Sequence, residues 1–203
     1  MLKPINIAVL VSGSGSNLQA LLDAQRTGAL DAGRISLVVS DRPGVYALER
    51  ARAAGVKTLE LDRRAPGMEE LVISALREGH VELIVLAGFL TILSGSFVQA
   101  YAGRILNVHP SLLPSFGGRG FYGLRVHQAA LARGVKVSGA TVHLVTDEPD
   151  GGPILLQKAV RVRKGDTPQT LQRRIMEQAE WQLLPRAAQM MCKRLRKEQK
   201  HAG

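Results

Sequence analysis

Asn107 and His109 stand two residues apart at the end of the apolar run RILNVH, with Pro110 directly after them. Two polar side chains that cost free energy to bury close a strand-like run, and the next residue cannot continue a ladder. In an extended strand both side chains project to one face. A neutral amide donor beside an imidazole suits chemistry in which negative charge grows on an oxygen while a proton moves. The loop TDEPDGGP (146–153) adds three carboxylates, Asp147, Glu148 and Asp150. A carboxylate near His109 is expected to raise its pKa and stabilise the imidazolium. Taken alone, each fragment also reads as a capped turn or a solvated acidic hairpin.

A second feature is VSGSGSNLQA, where glycines follow an apolar run and open a helical pattern. Gly13 and Gly15 allow a tight turn that aims backbone N–H groups at an anion, and Ser14, Ser16 and Asn17 add donors at a positive helix end. The dinucleotide pattern GxGxxG fails at Leu18, and GxxxxGK[ST] is absent, so the loop suits one phosphate better than a pyrophosphate. The plainer reading is a glycine turn with Ser16 or Asn17 as the helix N-cap. No HxxxH, CxxC or HExxH spacing occurs and no GxSxG elbow, so neither a metal nor a serine nucleophile is expected.

The elements that hold these residues alternate along the chain. Apolar runs at 5–12, 34–41, 56–62, 81–88 and 104–109 read as strands, the first and fourth as strands covered on both faces. Helical spacing follows in LQALLDAQRTG, at 46–55, at 68–79 and, in a shorter piece, around 95–103. A helix at 123–134, strands at 139–147 and 152–162, and a long helix from about Thr167 to Lys197, kinked or split at Pro185, complete the pattern. The expected fold is α/β: a Rossmann-like, doubly wound, mostly parallel sheet with an antiparallel C-terminal strand pair and a long C-terminal helix. At 203 residues one domain is expected over 1–203, with a basic tail from about 193 to 203.

In such sheets ligands lie beyond the carboxyl ends of the strands, where the GSGSN loop, AGFLTIL and NVHP all fall. The net charge of +10 suits anionic small substrates. No basic run interleaved with aromatics supports a single-strand binder, so nucleic acid is disfavoured as a partner. The chain has no apolar run long enough to span a membrane, and its start shows no signal-peptide pattern. A single cysteine, Cys192, suits a reducing, cytoplasmic setting.

NVHPSLLPSF together with DGGP resembles the folate-dependent formyltransferase family, over about Ile5 to Pro185. VLVSGSGSNLQAL and the total length resemble the branch acting in purine synthesis. The resemblance implies transfer of a formyl group from 10-formyltetrahydrofolate to the amine of 5-phosphoribosylglycinamide, without a metal. It implies that Asn107 binds the formyl oxygen, that His109 is the general acid and electrostatic partner, and that Asp150, rather than Asp147, sets the histidine's pKa. Ser14, Gly15, Ser16 and Asn17 would hold the ribose phosphate, and Glu180 a substrate group. Phe89, Leu90, Thr91, Ile92 and Leu93, with Val145, Thr146, Asp147 and Asp150, would hold the folate. Thr91 stands where the family often has Arg, and Arg64 is the nearest match to an arginine near the folate tail.

Other folate-dependent readings are methionyl-tRNA formyltransferase and formyltetrahydrofolate hydrolase, each with a further domain for which the length leaves no room. A non-catalytic nucleotide-binding module would leave the Asn–His–Asp set without a purpose. The partners expected are small molecules, with the chain a monomer or a homodimer.

Overall fold

The computed structural model describes residues 3–202. Seven strands form one sheet in the order β3-β2-β1-β4-β5-β6-β7. They are β1 Ile5–Val11, β2 Gly33–Ser40, β3 Lys57–Glu60, β4 Leu83–Leu86, β5 Ile105–His109, β6 Val137–Leu144 and β7 Ile154–Arg161. β1 through β5 pair in parallel, whereas β6 runs antiparallel to β5 and β7 antiparallel to β6. The doubly wound sheet with an antiparallel end matches the pattern expected from the sequence. Most strands are shorter than the expected runs by a residue or more, whereas β2 keeps its length one residue earlier and β6 begins two residues earlier, at Val137.

The alternation of side chains along each strand divides the core between the two faces. From β1, Ile5, Ile7, Val9 and Val11 pack on one face while Ala8 and Leu10 pack on the other. Helices α1 (Ser16–Arg26) and α2 (Tyr46–Ala53) cover the first face with the C-terminal helices; α3 (Met68–Glu78) and α4 (Gly95–Ala100) cover the second. In β5, Leu106 and Val108 join the first face and Ile105 the second, so Asn107 and His109 continue the second. Helix α5 (Leu124–Arg133) then returns the chain to β6.

The C-terminal region departs from the expectation. Thr167 caps α6 (Pro168–Ile175) with Pro168 in its first turn, and a π-helical turn at Met176–Glu180 leads into α7 (Trp181–Ala202). The irregularity therefore lies ahead of Pro185, which sits inside α7. Pro185 has no N–H to give to the carbonyl four residues back. The ladder widens one turn earlier, where Trp181 N–H reaches the Met176 carbonyl. The basic stretch from 193 belongs to α7 as far as Ala202.

Candidate active site

The strand order reverses direction between β1 and β4, and this switch point opens a crevice at their carboxyl ends. A cavity of about 530 Å³ lies there. Its walls include Ser14, Ser16 and Asn17 after β1, Phe89 to Ile92 after β4, Asn107 and His109 of β5, Asp150, and Glu180. A smaller cavity of about 120 Å³ adjoins it, lined by Leu93, Val145, Thr146 and Asp147 and again by Thr91 and Asp150.

The antiparallel pairing of β5 with β6 sets Asn107 opposite His143. Such cross-strand neighbours on one face touch. His143 Nδ1 lies 2.9 Å from the Leu144 carbonyl and donates to it. Its Nε2 is then an acceptor, 3.1 Å from Asn107 Nδ2. Asn107 Nδ2 also donates to Asp150 Oδ1 over a longer 3.4 Å.

Asp150 arrives from the β6–β7 loop with a positive φ of 58°. The two glycines after it have a steric reason: a Cβ at Gly152 would run into the Leu144 carbonyl. Asp150 Oδ2 lies 3.4 Å from His109 Nδ1 and accepts from Gly118 N–H at 2.8 Å. Burial pushes the Asp150 carboxyl up, but the His143 contact, the pull of His109 in its protonated form and the Gly118 N–H together hold it below the ordinary value. Asp150 is ionised at neutral pH.

His109 is 4% exposed, and its Nε2 donates to the Phe116 carbonyl at 2.8 Å. Here the expectation from the sequence needs correction. Asp150 and the Phe116 carbonyl do pull the His109 pKa up, yet burial outweighs them and the net shift is downward. At rest the imidazole is neutral, its bare Nδ1 facing Asp150, and a proton arriving there would be shared with the carboxylate. His127 on α5 is buried with no partner on either ring nitrogen among the described residues. Burial and the neighbouring His109 push it down to about 4, so it adds no charge.

The glycine loop uses the backbone instead. Gly15, not Ser16 or Asn17, is the N-cap of α1, with φ 75° and no side-chain cap. A Cβ there would come within 2.7 Å of Ala47 Cβ, so the left-handed turn and the contact with α2 both require glycine. Asn17 donates to Glu180 Oε2 at 2.6 Å across the cavity wall. Burial pushes the Glu180 carboxyl up to about 7 against the pull of that bond. Arg64 is exposed on the loop after β3 and lines neither cavity. The sequence places His143 on a strand from which it could approach the site, whereas nothing in it points to the wall residues Phe121, Tyr122, Gln172 and Met176. The antiparallel register supplies what the sequence lacks, the pairing of His143 with Asn107. No group of three or more His, Cys, Asp or Glu able to hold a metal ion occurs among the described residues.

Residues 5–188 match the formyl transferase family profile. The chain belongs to the formyl transferase family. It is 44% identical over 179 residues to the phosphoribosylglycinamide formyltransferase of Escherichia coli, covering 86% of this chain and 81% of that protein. It is 44% identical to the trifunctional purine biosynthetic protein adenosine-3 of Gallus gallus, covering 93% of this chain but 18% of that much longer protein. The glycinamide ribonucleotide transformylase structure from Symbiobacterium toebii superposes with a TM-score of 0.86 at 44% identity, covering 94% of this chain and 88% of that one.

Proposed function

We propose that this formyl transferase moves the formyl group of 10-formyltetrahydrofolate to the amine of 5-phosphoribosylglycinamide, within a single domain. The observation that carries the reading is the meeting of Asn107, His109 and Asp150 in one cavity with a helix N-terminus built for a phosphate. Ser14 to Asn17 hold the ribose phosphate, and Glu180 lies within reach of the sugar or amine. Phe89 to Leu93 and 145–150 hold the folate. Both partners are small molecules, and a cytoplasmic setting accords with a lone, buried cysteine. Among the described residues no helix is long and apolar enough to cross a membrane.

The amine nitrogen attacks the formyl carbon and its oxygen becomes an anion. The long bond from Asn107 to Asp150 is the one free to turn an N–H toward that oxygen. The amine's surplus proton passes to the bare Nδ1 of His109, where Asp150 stabilises the imidazolium as charge appears. The same proton then goes to the departing folate nitrogen when the carbon–nitrogen bond breaks, leaving the protein unchanged. Nε2 keeps its bond to the Phe116 carbonyl throughout and so fixes the ring, which makes residues 110–123 part of the catalytic geometry. Charge that exists only in the transition state is stabilised selectively.

Purified protein given both substrates is expected to accumulate formylated ribonucleotide, measured by chromatography, with formate release at least a hundredfold slower. His109→Ala lowers kcat by about 10²–10³, the size of losing one oxyanion-type contact. Formate release as fast as transfer overturns the acceptor assignment, and a His109→Ala enzyme at full rate overturns the chemistry.

A further inference from the structure

The loop after β4 carries a tie for which the reaction as described has no use. Thr91 Oγ1 donates to Asp41 Oδ2 at 2.6 Å, fifty residues away in sequence. Asp41 follows β2 and is 1% exposed. Its other oxygen, Oδ1, has no partner among the described residues. Its backbone is fixed as well: the carbonyl accepts from Arg63 N–H at 2.9 Å. Nearby, Leu90 N–H donates to Ser12 Oγ at 2.9 Å. Two side chains from the carboxyl ends of β1 and β2 therefore pin two successive residues of the loop.

A buried carboxylate with one oxygen unpartnered is costly, and neither core face requires an acid at that point. A hydroxyl bound to a carboxylate at this distance is among the stronger hydrogen bonds. What it holds in place is a ledge facing both cavities: Thr91 lines each of them, flanked by Leu90 at 42% and Ile92 at 66% exposure. Apolar side chains left so exposed beside a crevice fit a flat, mostly apolar ligand.

We infer that Asp41, acting through Thr91, is a positioning residue that sets the ledge for the folate ring of the formyl donor. The inference rests on the proposed function, of which it refines the donor half. Asp41 touches no substrate; it preorganises the loop, so its loss shows in donor affinity before it shows in turnover.

The test is steady-state kinetics with each substrate varied, beside calorimetric binding of tetrahydrofolate. Thr91→Val deletes the hydroxyl at nearly constant volume. It is expected to raise KM for the formyl donor and Kd for tetrahydrofolate about tenfold, with KM for the ribonucleotide within twofold and kcat down less than threefold. Thr91→Ser restores the donor KM. Asp41→Ala acts like Thr91→Val, and the double variant is no worse than either single one, as one broken tie requires. Should Asp41→Ala fail to fold, the Thr91 pair decides alone. Unchanged donor KM in Thr91→Val overturns the inference, as does an equal rise for both substrates. A wild-type chain that binds tetrahydrofolate yet transfers no formyl group sinks the proposed reaction while leaving the ledge intact. One that does not bind it sinks both.

Discussion

The β5–β6 wall and the glycine loop after β1 face the same cavity and are built on opposite principles. On the wall, the proposed chemistry lies in side chains: Asn107, His109, His143 and Asp150 converge because two antiparallel strands are paired in one register. In the loop, the proposed phosphate binding lies in the backbone, with Gly15 in a left-handed turn at the head of α1 and no side-chain cap. A coupled side-chain network has graded, tunable protonation, which chemistry needs. A ring of N–H groups at a helix end has fixed charge at any pH, which binding needs. The wall therefore should respond to changes of charge at constant shape, and the loop to changes of shape at constant charge.

Asp150→Asn puts the sharpest strain on that contrast. The amide keeps the volume and still offers an oxygen to Gly118 N–H, but the charge facing His109 Nδ1 is gone. We expect kcat to fall by about 10²–10³, with little change in unfolding midpoint. Because Asp150 pulls the His109 pKa up, its removal moves that pKa further down, which a proton NMR titration of the ring reads directly. A variant with normal kcat, or a ring that titrates higher than in the wild type, breaks the account of the wall.

Gly15→Ala is the complementary change, since it alters no charge. A non-glycine residue at φ 75° costs about 1–2 kcal/mol, and the new Cβ meets Ala47 at 2.7 Å. Urea unfolding should show a loss of about 2–3 kcal/mol. KM for the ribonucleotide should rise about tenfold, with kcat at saturation within a few-fold of wild type. If kcat drops as far as in Asp150→Asn, the loop and the wall are not separable in the way proposed.

How much of this was legible in the sequence follows from what periodicity encodes. The run INIAVLV identifies a strand covered on both faces because both of its alternate sets are apolar. NVH is legible because polar residues interrupt an apolar run at the carboxyl edge of the sheet, whereas Asp150 of DGGP is picked out of three loop carboxylates only by the family resemblance. Periodicity says which face a residue takes, not which residue lies across from it. His143 opposite Asn107 needed the observed register, and the tie of Thr91 to Asp41 spans two loops that no local pattern connects. The net pKa of His109 was misjudged because a carboxylate partner is visible in a sequence while the degree of burial is not. The π-helical turn was hidden for a related reason: Pro185 shows that the ladder must adapt, but not that it does so at Met176–Glu180.

Glu180 lines the cavity that both regions face, rising from that π-helical turn and accepting from Asn17 of the loop at 2.6 Å. Its substitution should have the smallest kinetic effect of the three and the clearest pH signature. The folded carboxyl titrates at about 7 against an ordinary 4.5, so the unfolded chain releases its proton first as pH rises. Below about 4.5 both states are protonated and the group costs nothing. Between there and about 7 the folded state loses stability, and above that the loss is constant, on the order of 3 kcal/mol. Glu180→Gln removes the titration and offers an N–H to Asn17 Oδ1, which is buried without a partner among the described residues. Urea unfolding from pH 4.5 to 8 should show the variant gaining on the wild type as pH rises through this window, and KM for the ribonucleotide should change only a few-fold. A stability difference that stays flat across the window means that Glu180 is already ionised in the fold, held by the loop as a charge. The glycine turn would then depend on a titratable side chain, and the division between a side-chain wall and a backbone loop would fail at the residue that ties the loop to the C-terminal helices.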